Sequence, residues 1–269
     1  MAGWAGLGCL LGTVVAVHGQ TIPRTVLPGS VVAPQTARDL SGQFIISGGA
    51  PPESRVGNIP EAAAELGEVT LQAQWLAVTA DRVRRSLLGL MEAPEGWRGK
   101  IFVNIHEAGD GTAARGVQLN PVLVNGTWNV RVDLPAKLPW KTAVRVLVDA
   151  LLVETAGRGA ARRPGAVPLW LSEGMTGLVL ADRGRDLLVE GHSAVMKSAV
   201  KPELIAEARK VLGGRPPLLL DELAFPSAAM ASDPAAHSVY RASATLLCHE
   251  LLADRDVRVG DRKSTRLNS

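Results

Sequence analysis

The sequence predicts an α+β fold: an N-terminal mixed sheet with one long helix and a hairpin, followed by a helical lobe. Three observations carry this reading. Apolar residues alternate with polar ones around residues 101–106 and 128–134. Between residues 62 and 92 they recur at helical spacing instead. From Lys141 onward the chain holds helical patterns separated by short Gly- and Pro-containing links.

Taken in order, residues 20–40 contain Pro23, Pro28, Gly29 and Pro34 with little periodicity, as expected of a linker or extended arm. Ser41 to Ser47 reads as a short strand closed by Gly48-Gly49-Ala50-Pro51-Pro52. Over residues 62–92, Leu76, Ala80, Val83, Leu87 and Leu90 form a stripe, with Arg82 and Arg85 off it, and Pro94 and Gly96 end the helix. Ile101, Val103 and Ile105 then alternate with Phe102, Asn104 and His106, which predicts a strand. Asp110-Gly111 marks a turn. Two further strands, 117–124 and 127–134, flank Asn125-Gly126, a pair that tolerates the positive φ of a tight hairpin. Pro121 makes the first arm an edge strand or a broken one. Helices are expected over 140–156, from Pro168, over 200–212 and over 236–254, with Leu218 to Leu223 as an apolar link.

Composition narrows the function classes. Of 269 residues, 46% are hydrophobic and only 4% aromatic, so Leu, Val and Ala must fill the core. The net charge of +3 is not a nucleic-acid signature. Two of those three charges come from residues 261–269, and no Lys/Arg block interleaves with aromatics. That tail resembles the ends of unrelated sequences in which non-native DNA has been translated, so it is not expected to belong to the fold. Residues 4–17 are apolar and uncharged, and Val17-His18-Gly19 offers a cleavage site, so residues 1–19 read as a signal peptide. The chain is then expected to be secreted or periplasmic. It would meet a membrane only if that segment stays uncleaved. With Cys9 removed, Cys248 has no disulfide partner and reads as a buried helical thiol. The expected organisation is 1–19 signal, 20–40 linker, 41–139 strand-rich lobe, 140–260 helical lobe and 261–269 foreign tail.

The chemistry-bearing feature is Pro168-Leu169-Trp170-Leu171-Ser172-Glu173-Gly174. It resembles the WLxEG segment of gluzincin-type, peptidase-MA-like zinc peptidases, in which the glutamate is the third metal ligand. The resemblance covers roughly residues 40–255. It also includes a mixed sheet with a hairpin and a late Tyr-containing helix, Ser238-Val239-Tyr240-Arg241-Ala242-Ser243. A group of bacterial secreted proteins with the same Ser-Gly-Gln-Phe start is similar too. Zincin chemistry needs two imidazoles four residues apart with a glutamate between them. The corresponding stretch, Val146 to Glu154, has no histidine. Asp149, Ala150 and Glu154 fall near the positions of the two histidines and the base. Only Glu173 matches a functional position, and one carboxylate does not make a zinc site.

The resemblance therefore implies a peptidase fold without catalytic residues, metal or cofactor. Its remnant cleft would comprise Glu173, Trp170, Asp149 and Glu154. Its expected partner is an extended peptide or an envelope protein, and no nucleic acid is expected. Two alternatives stay open: a hydrolase with a non-standard metal set such as Glu173, His192 and His249, and a structural envelope protein with no ligand. The plain readings of the same residues are ion pairs. Glu173 shares a face with Trp170, Gly174, Gly177 and Ala181, a small-residue face expected to pack on the preceding helix, with Arg145 or Arg158 as its counter-ion. Asp149 with Arg145, and Glu154 with Arg158, have the spacing of helix-surface pairs. His249-Glu250 reads as another. No Gly-x-Ser-x-Gly elbow or phosphate loop occurs.

Overall fold

The computed structural model describes residues 35–49, 67–96, 99–106, 116–158, 160, 163–187, 203–228, 230 and 233–267. These residues belong to one contact unit. In chain order they form β1 (Thr36–Arg38), β2 (Phe44–Gly48), β3 (Glu68–Thr70), α1 (Ala73–Met91), β4 (Ile101–His106), β5 (Gln118–Val124), β6 (Thr127–Pro135) and β7 (Lys137–Pro139). There follow α2 (Trp140–Gly157), α3 (Leu169–Arg183) with a 3-10 turn (Gly184–Leu187), α4 (Ala206–Leu212), α5 (Leu220–Ala224) and α6 (Pro234–Leu267). The fold is α+β.

Five strands form a mixed sheet in the order β1-β2-β4-β6-β5. The central strands β2, β4 and β6 are parallel, and β1 and β5 add antiparallel edges. Period-two alternation sets which face is buried. Ile101, Val103 and Ile105 on β4, and Val130, Val132 and Leu134 on β6, turn inward, while Phe102 and Arg131 turn out. The hairpin between β5 and β6 closes on Asn125 and Gly126, with φ of 50° and 76°. Two consecutive positive φ values define the tight turn whose twist matches the strands. Pro121 sits on the edge strand, opposite Val130.

The stripe of α1 (Leu76, Ala80, Val83, Leu87) is fully buried against the sheet. Helix α2 is buried on most of its circumference, through Ala143, Val144, Leu147, Val148, Ala150 and Leu151. Each large side chain so buried contributes about 1.5–3 kcal/mol. Sheet, α1, α2 and α3 share one hydrophobic core. No helix among the described residues is long and apolar enough to cross a membrane.

Several expected boundaries move. The long helix starts at Ala73; residues 68–70 form β3 instead, paired with β7. Gly67, at φ 77°, redirects the chain, and Val69 is buried opposite Leu138. The expected start of this helix, residues 62–66, and the turn at Asp110-Gly111 lie outside the described residues. The expected signal segment 1–19 and residues 20–34 of the expected arm lie outside the described residues; residues 36–38 form the edge strand β1. The link 218–223 contains a short helix, because the Glu222 carboxylate accepts the Leu219 N–H at 2.8 Å. The third expected helix begins only at Ala206. The last one starts at Pro234, where the Asp233 carboxylate accepts the N–H groups of Ala235 and Ala236, and its backbone continues to Leu267. It thus runs through residues 261–267 of the tail expected to be foreign.

Candidate functional site

Three helices converge on Glu173. Arg145 and Asp149 lie four residues apart on α2, so they share one face. His237 and Arg241 are related in the same way on α6. Glu173 is in the second turn of α3, which starts after Pro168. Its side chain is 0% exposed. Arg241 Nε donates to Oε2 at 2.8 Å. Arg145 Nη2 lies 3.0 Å from Oε1 without hydrogen-bond geometry, and His237 Nε2 is 3.5 Å from the same oxygen. The cations remain partly in water, with Arg145 34% and Arg241 38% exposed. The site is therefore one buried anion held by two half-exposed guanidinium groups.

Asp149 joins this cluster through Arg145, whose Nε is 3.8 Å from Oδ2. The Ser172 hydroxyl donates to its other oxygen. Burial raises the Asp149 pKa above the usual carboxylate value; the Ser172 hydrogen bond and Arg145 oppose that rise, and Glu173 adds to it. Tyr240 is buried behind the cluster, and its hydroxyl donates to the Leu223 carbonyl at 2.8 Å. Burial, and then the nearby Glu173 charge, raise its pKa.

Helix α6 reaches Glu173 because α3 has no side chains in the way. A Cβ at Gly174 would meet the Ala244 carbonyl oxygen at 2.5 Å and also collide with Cys248 Sγ, and one at Gly177 would collide with Thr245 Oγ1. The small-residue face thus packs on α6, not on the preceding helix as expected. Cys248, in that seam, is buried, and burial pushes its thiol pKa up to about 12, so it is not a nucleophile at neutral pH.

The sequence-derived residues are only partly brought together. Glu173 and Asp149 share the cluster. Trp170 packs near Tyr240 and Ala244 and serves the core. Glu154 is elsewhere: 1% exposed, it accepts the Gly99 N–H at 3.0 Å and pairs with Arg158 at 2.8 Å. The Glu154–Arg158 pair is therefore buried on the glutamate side, not a surface pair. Arg158 is not available to Glu173; Arg145 is the partner, and Arg241 and His237 are additions. His249 lines a different cavity of ≈ 530 Å³ with Arg85, Asp182 and Glu203. His192 lies outside the described residues. No group of three or more His, Cys, Asp or Glu among the described residues is arranged to hold a metal. With guanidinium groups facing Glu173, the described residues around it do not fit a zinc centre.

Compared with protein-family models, with curated proteins and with solved structures, the chain matches none.

Proposed function

We propose that this chain is an exported domain of gluzincin-like architecture that binds extended peptide or protein segments without cleaving them. The observation that carries the reading is Glu173. It occupies the position that the WLSEG resemblance gives to a zinc-binding carboxylate, yet its charge is met by Arg145 and Arg241. Guanidinium groups perform there the electrostatic task of a cation, but they do not coordinate a water and lower its pKa as zinc does. Tyr240 has no free role either, since its hydroxyl is committed to Leu223.

Binding is supported by β5, which has no strand on its outer side among the described residues. The Val130 N–H donates to Lys100 on the β4 side, so Pro121 opposite it turns its backbone outward. By the strand period Leu119 and Leu123 do the same, leaving their N–H and C=O groups for an added strand on either side of the proline. Val122 and Val124 are 43% and 48% exposed on the outer sheet face, beside Phe102. A peptide added to this edge would lay apolar side chains against them.

The test is metal content together with proteolysis on the purified chain. We expect far less than one zinc per chain, no cleavage of an unfolded reporter protein, and saturable binding of an extended peptide. Stoichiometric zinc with chelator-sensitive cleavage would overturn the reading.

A further inference from the structure

Beside the Glu173 cluster lies a cavity of ≈ 360 Å³ between α2, α3, α4 and α6. Its wall includes Gly177, Leu180, Ala208 and Ala242, and its polar members include Lys141, Arg241 and Ser238. The two cations are unevenly used. Arg241 spends Nε on Glu173, while Nη1 and Nη2 donate no hydrogen bond among the described residues. Lys141 has no acidic partner among them either; its ammonium rests 5.8 Å from the centre of the Trp140 ring. The acid in the wall, Glu207, is 78% exposed and pairs with Lys210 at 4.0 Å.

We infer that this cavity is a receptor for a carboxylate carried on an apolar body, and that its ligand is the C-terminal residue of a bound peptide. A guanidinium anchored at Nε by a fully buried carboxylate has lost its rotamer freedom before the ligand arrives. Its two remaining nitrogens form a planar fork that fits a carboxylate in bidentate fashion. Lys141 adds a second positive charge, and the apolar wall takes an aliphatic side chain next to the carboxylate. The carboxylate site stands on the cavity alone; only the choice of a peptide as its source rests on the peptide-binding reading above.

The experiment is calorimetric titration of the full chain with three probes: an N-acetylated hexapeptide ending in Leu with a free carboxylate, the same peptide as its C-terminal amide, and octanoate. The free-acid peptide is expected to bind at least about tenfold tighter than the amide, a charge-assisted pair being worth that factor. Lys141→Ala and Arg241→Lys are expected to weaken the acid severalfold. Lys141 lies outside the Glu173 cluster, so the thermal midpoint of Lys141→Ala should stay close to the parent's. Equal binding of acid and amide would overturn the carboxylate receptor while leaving peptide binding standing. Octanoate binding with neither peptide bound would keep the receptor and overturn the peptide source. Binding of none of the three would overturn the receptor and the peptide reading together.

Discussion

Glu173 and its arginines are not energetically equivalent, because burial is unequal. The carboxylate is wholly removed from water, whereas both guanidinium groups keep about a third of their surface in it. Deleting one arginine strands a buried charge on its remaining partner. Deleting the carboxylate lets the arginines turn to solvent. Breaking a buried pair from the side that leaves the buried charge costs about 3–5 kcal/mol, and one surviving arginine softens this. Arg145→Ala is therefore expected to cost about 2–4 kcal/mol and Glu173→Gln about 1 kcal/mol, measured by denaturant unfolding. The reverse order would show that the arginines are held by something other than Glu173. Asp149 differs again. Its raised pKa means that the folded state binds the proton more tightly than the unfolded state. Its contribution is thus fully present below the ordinary aspartate value of 3.8 and lost as pH rises through the folded pKa. Asp149→Asn is expected to raise stability at pH 7 and to lose that advantage in acid, as read from thermal midpoints across pH.

Among the elements, the α3–α6 seam decides whether the cluster exists. Gly174 and Gly177 permit a backbone approach that any Cβ would block. Gly174→Ala gains up to about 1 kcal/mol of helix propensity. It also drives a methyl group against a carbonyl oxygen and a buried thiol, an overpacking cost of about 1–3 kcal/mol. A net loss of about 1–2 kcal/mol is expected, together with loss of the acid-over-amide preference because Arg241 moves away; an unchanged melting curve would mean the helices are not in this contact. The same seam explains what the sequence could and could not tell. The glycines marked a close contact, but not with which helix. The partnership of Glu173 with Arg241 spans 68 residues and is set by docking, not by spacing. Arg145 was legible as one of two candidates, because it lies on the preceding helix. Long periodic elements such as α1 and the β5–β6 hairpin were readable from their stripes and from Asn125-Gly126. The three-residue strands β3 and β7 were not, since a segment so short has no period, and its pairing was fixed by Gly67 and a distant Leu138. Glu154 looked like a surface acid because one of its partners, the Gly99 N–H, comes from a loop 55 residues away.

At the scale of the whole molecule, the expected division into a strand-rich and a helical lobe meets a single core. Phe44 and Ile46 from the sheet and Leu147, Leu178 and Val179 from the helices belong to one cluster. The inner sheet face is covered by α1 and α2, and α2 is buried by both halves. Stability should therefore be shared, not partitioned. Phe44 is 0% exposed on β2, far along the chain from the helical elements. Phe44→Ala removes a large buried side chain at a cost of about 3–5 kcal/mol. If the core is one cooperative unit, far-UV circular dichroism and near-UV circular dichroism of the tryptophans, which include Trp140 and Trp170 on the helices, will lose their signals at one midpoint. The substitution will lower that midpoint equally for both probes. Two separated midpoints, with the helical signal unmoved by Phe44→Ala, would mean that the halves fold independently. The Glu173 cluster would then owe nothing to the sheet.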